Sequence, residues 1–129
     1  MPKPTHEDAK IMLRLAEINA LMNVPEAAAF IWGDDFAPEI KDFRAKFPAG
    51  SRETALVHRF LGWHETVGTL YRNGLINEDL LFDWLAVDLA WNRVKSFALA
   101  VRQESGEPRM FENFEYMARR SAQWQPARA

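Results

Sequence analysis

The tetrapeptide Gly74–Leu75–Ile76–Asn77 constrains this 129-residue chain more than any other part of it. A long stretch of helical periodicity lies on either side. Upstream, Val57, Phe60, Leu61, His64, Val67, Gly68 and Tyr71 recur at the spacing of one helix face. Ser51 is an N-cap type placed to start that helix. Gly74 ends it in the left-handed conformation that glycine adopts without strain. Downstream, Asn77 is the next N-cap, Glu78 and Asp79 suit the positive end of a helix dipole, and Ile76 can staple onto Leu81. This second helix is predicted to run to about Gln103. So short a connection predicts a central antiparallel hairpin of the two longest helices.

The rest of the chain keeps the same period. Thr5 caps a first helix, with Asp8 three residues on and Ile11, Met12, Leu15, Ile18 and Met22 along one stripe. Pro25 suits the first turn of a short helix that Gly33 stops, and Pro38 opens another with Ile40, Phe43 and Phe47. Pro48–Ala49–Gly50 and Ser105–Gly106–Glu107 are breaks. Pro108 is predicted to start the last helix, with Met110, Phe111, Phe114, Met117 and Ala118 on one face. No strand-like alternation competes. The fold class expected is all-α: a helical bundle of four principal helices with a central antiparallel hairpin and one or two short helices. Residues 1–129 are read as a single helical domain with a flexible C-terminal tail, 121–129.

Composition narrows the function classes. With no cysteine there is no disulfide, thiolate metal site or cysteine nucleophile. A net charge of -2 argues against a dedicated nucleic-acid binder. The N-terminus lacks an apolar signal core, and the apolar run Phe97–Val101 is far too short for a bilayer. The expectation is a cytoplasmic protein with no membrane partner. Charge is uneven: residues 1–92 carry 9 basic and 14 acidic side chains, residues 93–129 carry 7 and 4. Such polarity can steer self-association.

The stretch Trp63–His64–Glu65–Thr66–Val67–Gly68 begins like a zinc-protease helix, in which two histidines at i and i+4 share one metal. Gly68 stands where the second histidine belongs. His64 is therefore read as a core residue, no metal site is assigned, and no cofactor is implied. Glu65 and Asp88 are the other candidates. Asp88 lies between Trp84 and Trp91 at helical spacing, on the most apolar face of its helix. Two carboxylates brought together by the hairpin would suit acid–base chemistry or a ligand pocket. The simpler expectation is that each is a structural pair or helix cap. No nucleophile elbow, phosphate loop, dinucleotide fingerprint or calcium loop occurs.

The order of Trp63, Glu65, Gly74, Leu75, Asn77, Leu81, Phe82, Asp88, Trp91, Pro108, Asn113, Phe114 and Glu115 resembles a family of small uncharacterised bacterial all-helical proteins, a domain of unknown function. The resemblance runs from about Glu7 to Ala118. It implies a helical fold and no activity. The chain departs from the pattern at His64, where the family usually has another aromatic residue, and before Asp88, where it tends to have glycine.

The function expected from all this is a non-enzymatic helical protein-interaction module that associates with itself or with another protein. Its motivation is the absence of catalytic motifs and an excess of aromatic side chains, which are enriched at interfaces. The alternative is a small-ligand or enzymatic site in the bundle, lined by Glu65, Asp88, Trp84, Trp91 and His64.

Overall fold

A computed structural model describes residues 2–126, which include seven helices. The end of the tail predicted above, residues 127–129, lies outside the described residues. Helix α1 (His6–Leu21) starts with the expected reciprocal cap: the Thr5 hydroxyl accepts the Asp8 N–H at 3.1 Å, and Asp8 accepts the Thr5 N–H at 2.8 Å. Helices α2 (Val24–Ile31) and α3 (Ile40–Lys46) follow Asn23 and Glu39. Helix α4 (Arg52–Arg72) begins at Ser51. It ends in a Schellman motif at Gly74, with φ 75°, where the Gly74 and Leu75 N–H groups donate to the Tyr71 and Leu70 carbonyls.

Asn77 caps α5 (Glu78–Trp84) by accepting the Leu80 N–H at 3.0 Å. The Asn77 N–H itself donates to Asp8 Oδ1 at 3.0 Å, so one carboxylate ties the first turn of α1 to the start of α5.

The second long helix is not continuous. It stops after Trp84, Leu85 is extended, and α6 (Val87–Ser105) starts afresh. The core requires this break. Phe82 and Trp91 are both buried, yet nine residues of unbroken helix would set them about 180° apart. Interrupting the helix at Leu85–Ala86 turns Val87, Ala90, Trp91 and Val94 inward and leaves Leu89 outside. No glycine or proline marks the break, because packing imposes it. Trp84 and Asp88 consequently do not share a helix face.

Helix α7 (Glu112–Gln123) starts four residues later than expected. Residues 108–111 form a turn, with Phe111 at φ 61° and the Met110 carbonyl accepting Arg102 Nε at 2.8 Å. This helix organises the bundle. It packs on both α4 and α6, while α2 covers another side of α4. Phe114, fully buried, touches a ring on each long helix: His64 of α4 at 4.5 Å and Trp91 of α6 at 5.0 Å between centroids. The two arms of the expected hairpin thus meet chiefly through α7.

Ser121 and Trp124, at the start of the predicted tail, pack into the fold. Ser121 is buried within α7. Beyond it, Trp124 packs on Phe82 and donates its indole N–H to Asp79 at 2.8 Å.

Candidate functional site

The candidate residues fall at three separate places. Glu65 projects from the middle of α4 at the N-terminus of α7. Its Oε1 accepts the backbone N–H of Asn113 at 3.0 Å and of Phe114 at 2.9 Å, and its Oε2 accepts Asn113 Nδ2 at 2.8 Å. Asn113 Nδ2 also reaches Thr69 Oγ1 at 3.1 Å, one turn further along α4. The first N–H groups of a helix have no partner within it, and they favour negative charge. Phe111, at the α7 N-cap, offers no side-chain acceptor. Glu65 supplies one from a distant part of the chain. Gly68 makes the approach possible: a Cβ there would lie 2.6 Å from the Asn113 carbonyl oxygen. Gly62 has no such neighbour.

Asp88 stands at the other end of α7. The Ser121 hydroxyl donates to Asp88 Oδ1 at 3.0 Å and lies 3.3 Å from the Asp88 N–H, which donates to it. Ser121 therefore caps α6, whose own N-cap, Ala86, has no side-chain hydrogen bond. Between Asn113 and Ser121, α7 rises by about 12 Å. The two carboxylates occupy opposite ends of one helix and do not form a joint site. Glu65 caps α7, while the Asp88 carboxylate accepts the hydroxyl of the serine that caps α6.

His64 and Trp84 do share a cleft, of about 450 Å³, lined by α1, α2, α4 and the α5–α6 junction. Its aromatic walls are Trp32, Phe60, Trp63, His64 and Trp84. Val24, Leu85, Leu89 and four alanines complete the apolar surface, and Asn19 is the one further polar side chain. No charged residue lines it. His64 is 6% exposed and stacks on Phe114 with 12° between the rings. Its Nδ1 lies 2.8 Å from the Phe60 carbonyl. A carbonyl only accepts, so Nδ1 carries the proton and Nε2 is the acceptor of the neutral ring. Burial pushes its pKa down to about 4, against a weaker upward pull from the Phe60 carbonyl. The neighbouring Trp63 is 3% exposed, and its indole N–H is buried with no hydrogen-bond partner. Trp91 lies outside this cleft and, with Asp88, lines a smaller hollow of about 240 Å³.

A polar opening of about 430 Å³ lies near the α4–α5 turn. Of its charged groups, Glu78 and Arg120 pair with each other, and Asp8 is engaged by Thr5 and the Asn77 N–H. The Tyr71 hydroxyl donates to Glu78, which also accepts from Arg120, and burial followed by that bond to Glu78 raises the Tyr71 pKa to about 12. Among the described residues, no three His, Asp or Glu side chains converge as a metal site.

Sequence reasoning missed Trp63 and Trp32 as cleft walls and Ser121 as a cap. The cleft brings together side chains from five helices, and no local spacing encodes that. Ser121 carried a signal only in being a hydroxyl on the apolar side of the last helix.

The family model described as Domain of unknown function (DUF4760) matches residues 4–121. No curated protein and no solved structure shows significant similarity to the chain. No helix among the described residues is long and apolar enough to cross a membrane.

Proposed function

The chain belongs to the DUF4760 family, and from that premise we propose that it is a non-enzymatic helical interaction module that associates with itself. The observation that carries this reading is the rim of the uncharged cleft. Trp32 is 55% exposed and Leu89 57% exposed, and both border it. A large aromatic left more than half in water beside further apolar surface is typical of an association site. The uneven charge supports the same reading. The first 92 residues are net acidic and the last 37 net basic, a polarity that can steer association. The carboxylates best placed to do chemistry are engaged within the fold: Glu65 caps α7, and Asp88 accepts the Ser121 hydroxyl.

Analytical ultracentrifugation tests the proposal. The parent chain is expected to dimerise at micromolar concentration, and Trp32→Glu to run as a monomer with unchanged helicity. A single 14.9 kDa species persisting in the parent to about 100 μM, a generous limit for a weak interface, would remove the idea.

A further inference from the structure

We propose that the polar opening beside the α4–α5 turn, between the start of α1 and the outer face of α7, binds a small organic molecule carrying one carboxylate. The opening shares no lining residue with the cleft at Trp32, so this site is distinct from the face proposed for self-association.

Charge is the first observation. Lys3, Arg72 and Arg120 line the opening together with two carboxylates, Asp8 and Glu78. The carboxylates already have donors: Asp8 accepts from the Thr5 and Asn77 N–H groups, and Glu78 from Tyr71 and Arg120. The cations are less well served. Among the described residues Lys3 has no hydrogen bond or ion pair, and Arg72 has no carboxylate partner. All three are exposed, so a dissolved anion can reach them. The opening thus holds one excess positive charge in a chain of net charge -2.

Geometry is the second. Arg72 is held in place: its Cζ lies 4.7 Å from the centroid of the Tyr116 ring, and Nη1 is 3.4 Å from Asn113 Oδ1. A guanidinium stacked on a ring keeps N–H groups along its edge, and their fork matches a carboxylate. Arg120 follows Tyr116 by one turn of α7, so the two share a face. Its contact with Glu78 is long, 3.4 Å, and its side chain is 49% exposed. The Tyr71 and Tyr116 rings, with centroids 6.1 Å apart, line the same opening and give an apolar wall for the body of a ligand. A volume of about 430 Å³ suits a small molecule. One carboxylate balances the excess charge. A dianion would leave negative charge beside Asp8 and Glu78, and a cation would face Lys3 and Arg72.

The test compares benzoate, benzamide and phenyl phosphate on the intact chain. Titrations are followed in an ¹⁵N-edited spectrum that includes the arginine Nε–H groups, with the Arg72 signal assigned by its loss in Arg72→Gln. Benzoate is expected to move the Arg72 signal and to bind about tenfold more tightly than benzamide, the worth of a charge-assisted hydrogen bond. Phenyl phosphate, a dianion at about pH 8, should bind no more tightly than benzoate. Arg72→Gln should weaken benzoate about tenfold. Arg119→Gln, an equal change of charge outside the opening, should leave it unaltered. Should Arg72→Gln not fold, Lys3→Gln decides, since that ammonium has no described partner to lose; it should weaken benzoate about threefold. Equal binding of benzoate and benzamide, tighter binding of phenyl phosphate, an unmoved Arg72 signal, equal losses in Arg72→Gln and Arg119→Gln, or an unchanged affinity in Lys3→Gln would overturn the proposal. Trp32→Glu should bind benzoate as the parent does, so failure here and failure of self-association are separately visible.

Discussion

Glu65 on α4 accepts the backbone N–H of Phe114 on α7 at 2.9 Å, across 49 residues of sequence. The bond joins a carboxylate to a helix N-terminus that lacks a side-chain cap of its own. It fixes where α7 begins, and α7 in turn joins the two long helices.

Removing that carboxylate should therefore destabilise the whole bundle. Glu65→Ala strands the Asn113 and Phe114 N–H groups together with the Asn113 side chain. The expected loss is about 2–3 kcal/mol, the scale of a charge-assisted hydrogen bond plus a cap. Glu65→Gln keeps one acceptor and should lose about half as much. Urea denaturation gives both numbers, and an alanine variant as stable as the parent would contradict the capping role.

Gly62 and Gly68 lie six residues apart on α4 and should respond oppositely to alanine. At Gly62 a Cβ meets nothing within 4 Å, so Gly62→Ala should gain about 1 kcal/mol from helix propensity alone. At Gly68 a Cβ would lie 2.6–2.7 Å from the Asn113 carbonyl. Backbone cannot step aside cheaply, and Gly68→Ala should cost about 1–3 kcal/mol despite the same propensity gain. Paired thermal melts check the opposite signs.

His64 makes the stability depend on pH. Its pKa is about 4 when folded and 6.5 in the ordinary state. Folding thus favours the neutral ring. The contribution is complete above pH 6.5 and is lost as the pH falls towards 4, because the unfolded chain takes up a proton that the folded chain refuses. Between pH 7 and pH 5 the loss attributable to this ring is about 2 kcal/mol. His64→Phe removes the titrating group, and its ring can keep the stack on Phe114. The variant should be at least as stable as the parent at neutral pH, and its stability should fall less between pH 7 and pH 5. Identical pH profiles for the two proteins would show that His64 can charge freely in the folded state.

The sequence by itself determined the helices and most of their ends. Thr5, Ser51, Asn77 and Gly74 act within a few residues of their own positions, through hydrogen bonds and backbone preferences that do not depend on the rest of the fold. His64 was legible as a core residue for the same reason, since its period matches that of Val57, Phe60 and Val67. Tertiary structure alone decided the break at Leu85–Ala86, where two apolar faces half a turn out of phase had to reach one core. It decided the start of α7, whose cap comes from Glu65 on another helix, and it separated Glu65 from Asp88 by placing them at opposite ends of α7. The cleft walled by Trp32, Trp63, His64 and Trp84 belongs to the same class. Local periodicity tells which side of a helix is buried, but not which other helix covers it, and a site built between helices exists only once that second choice is made.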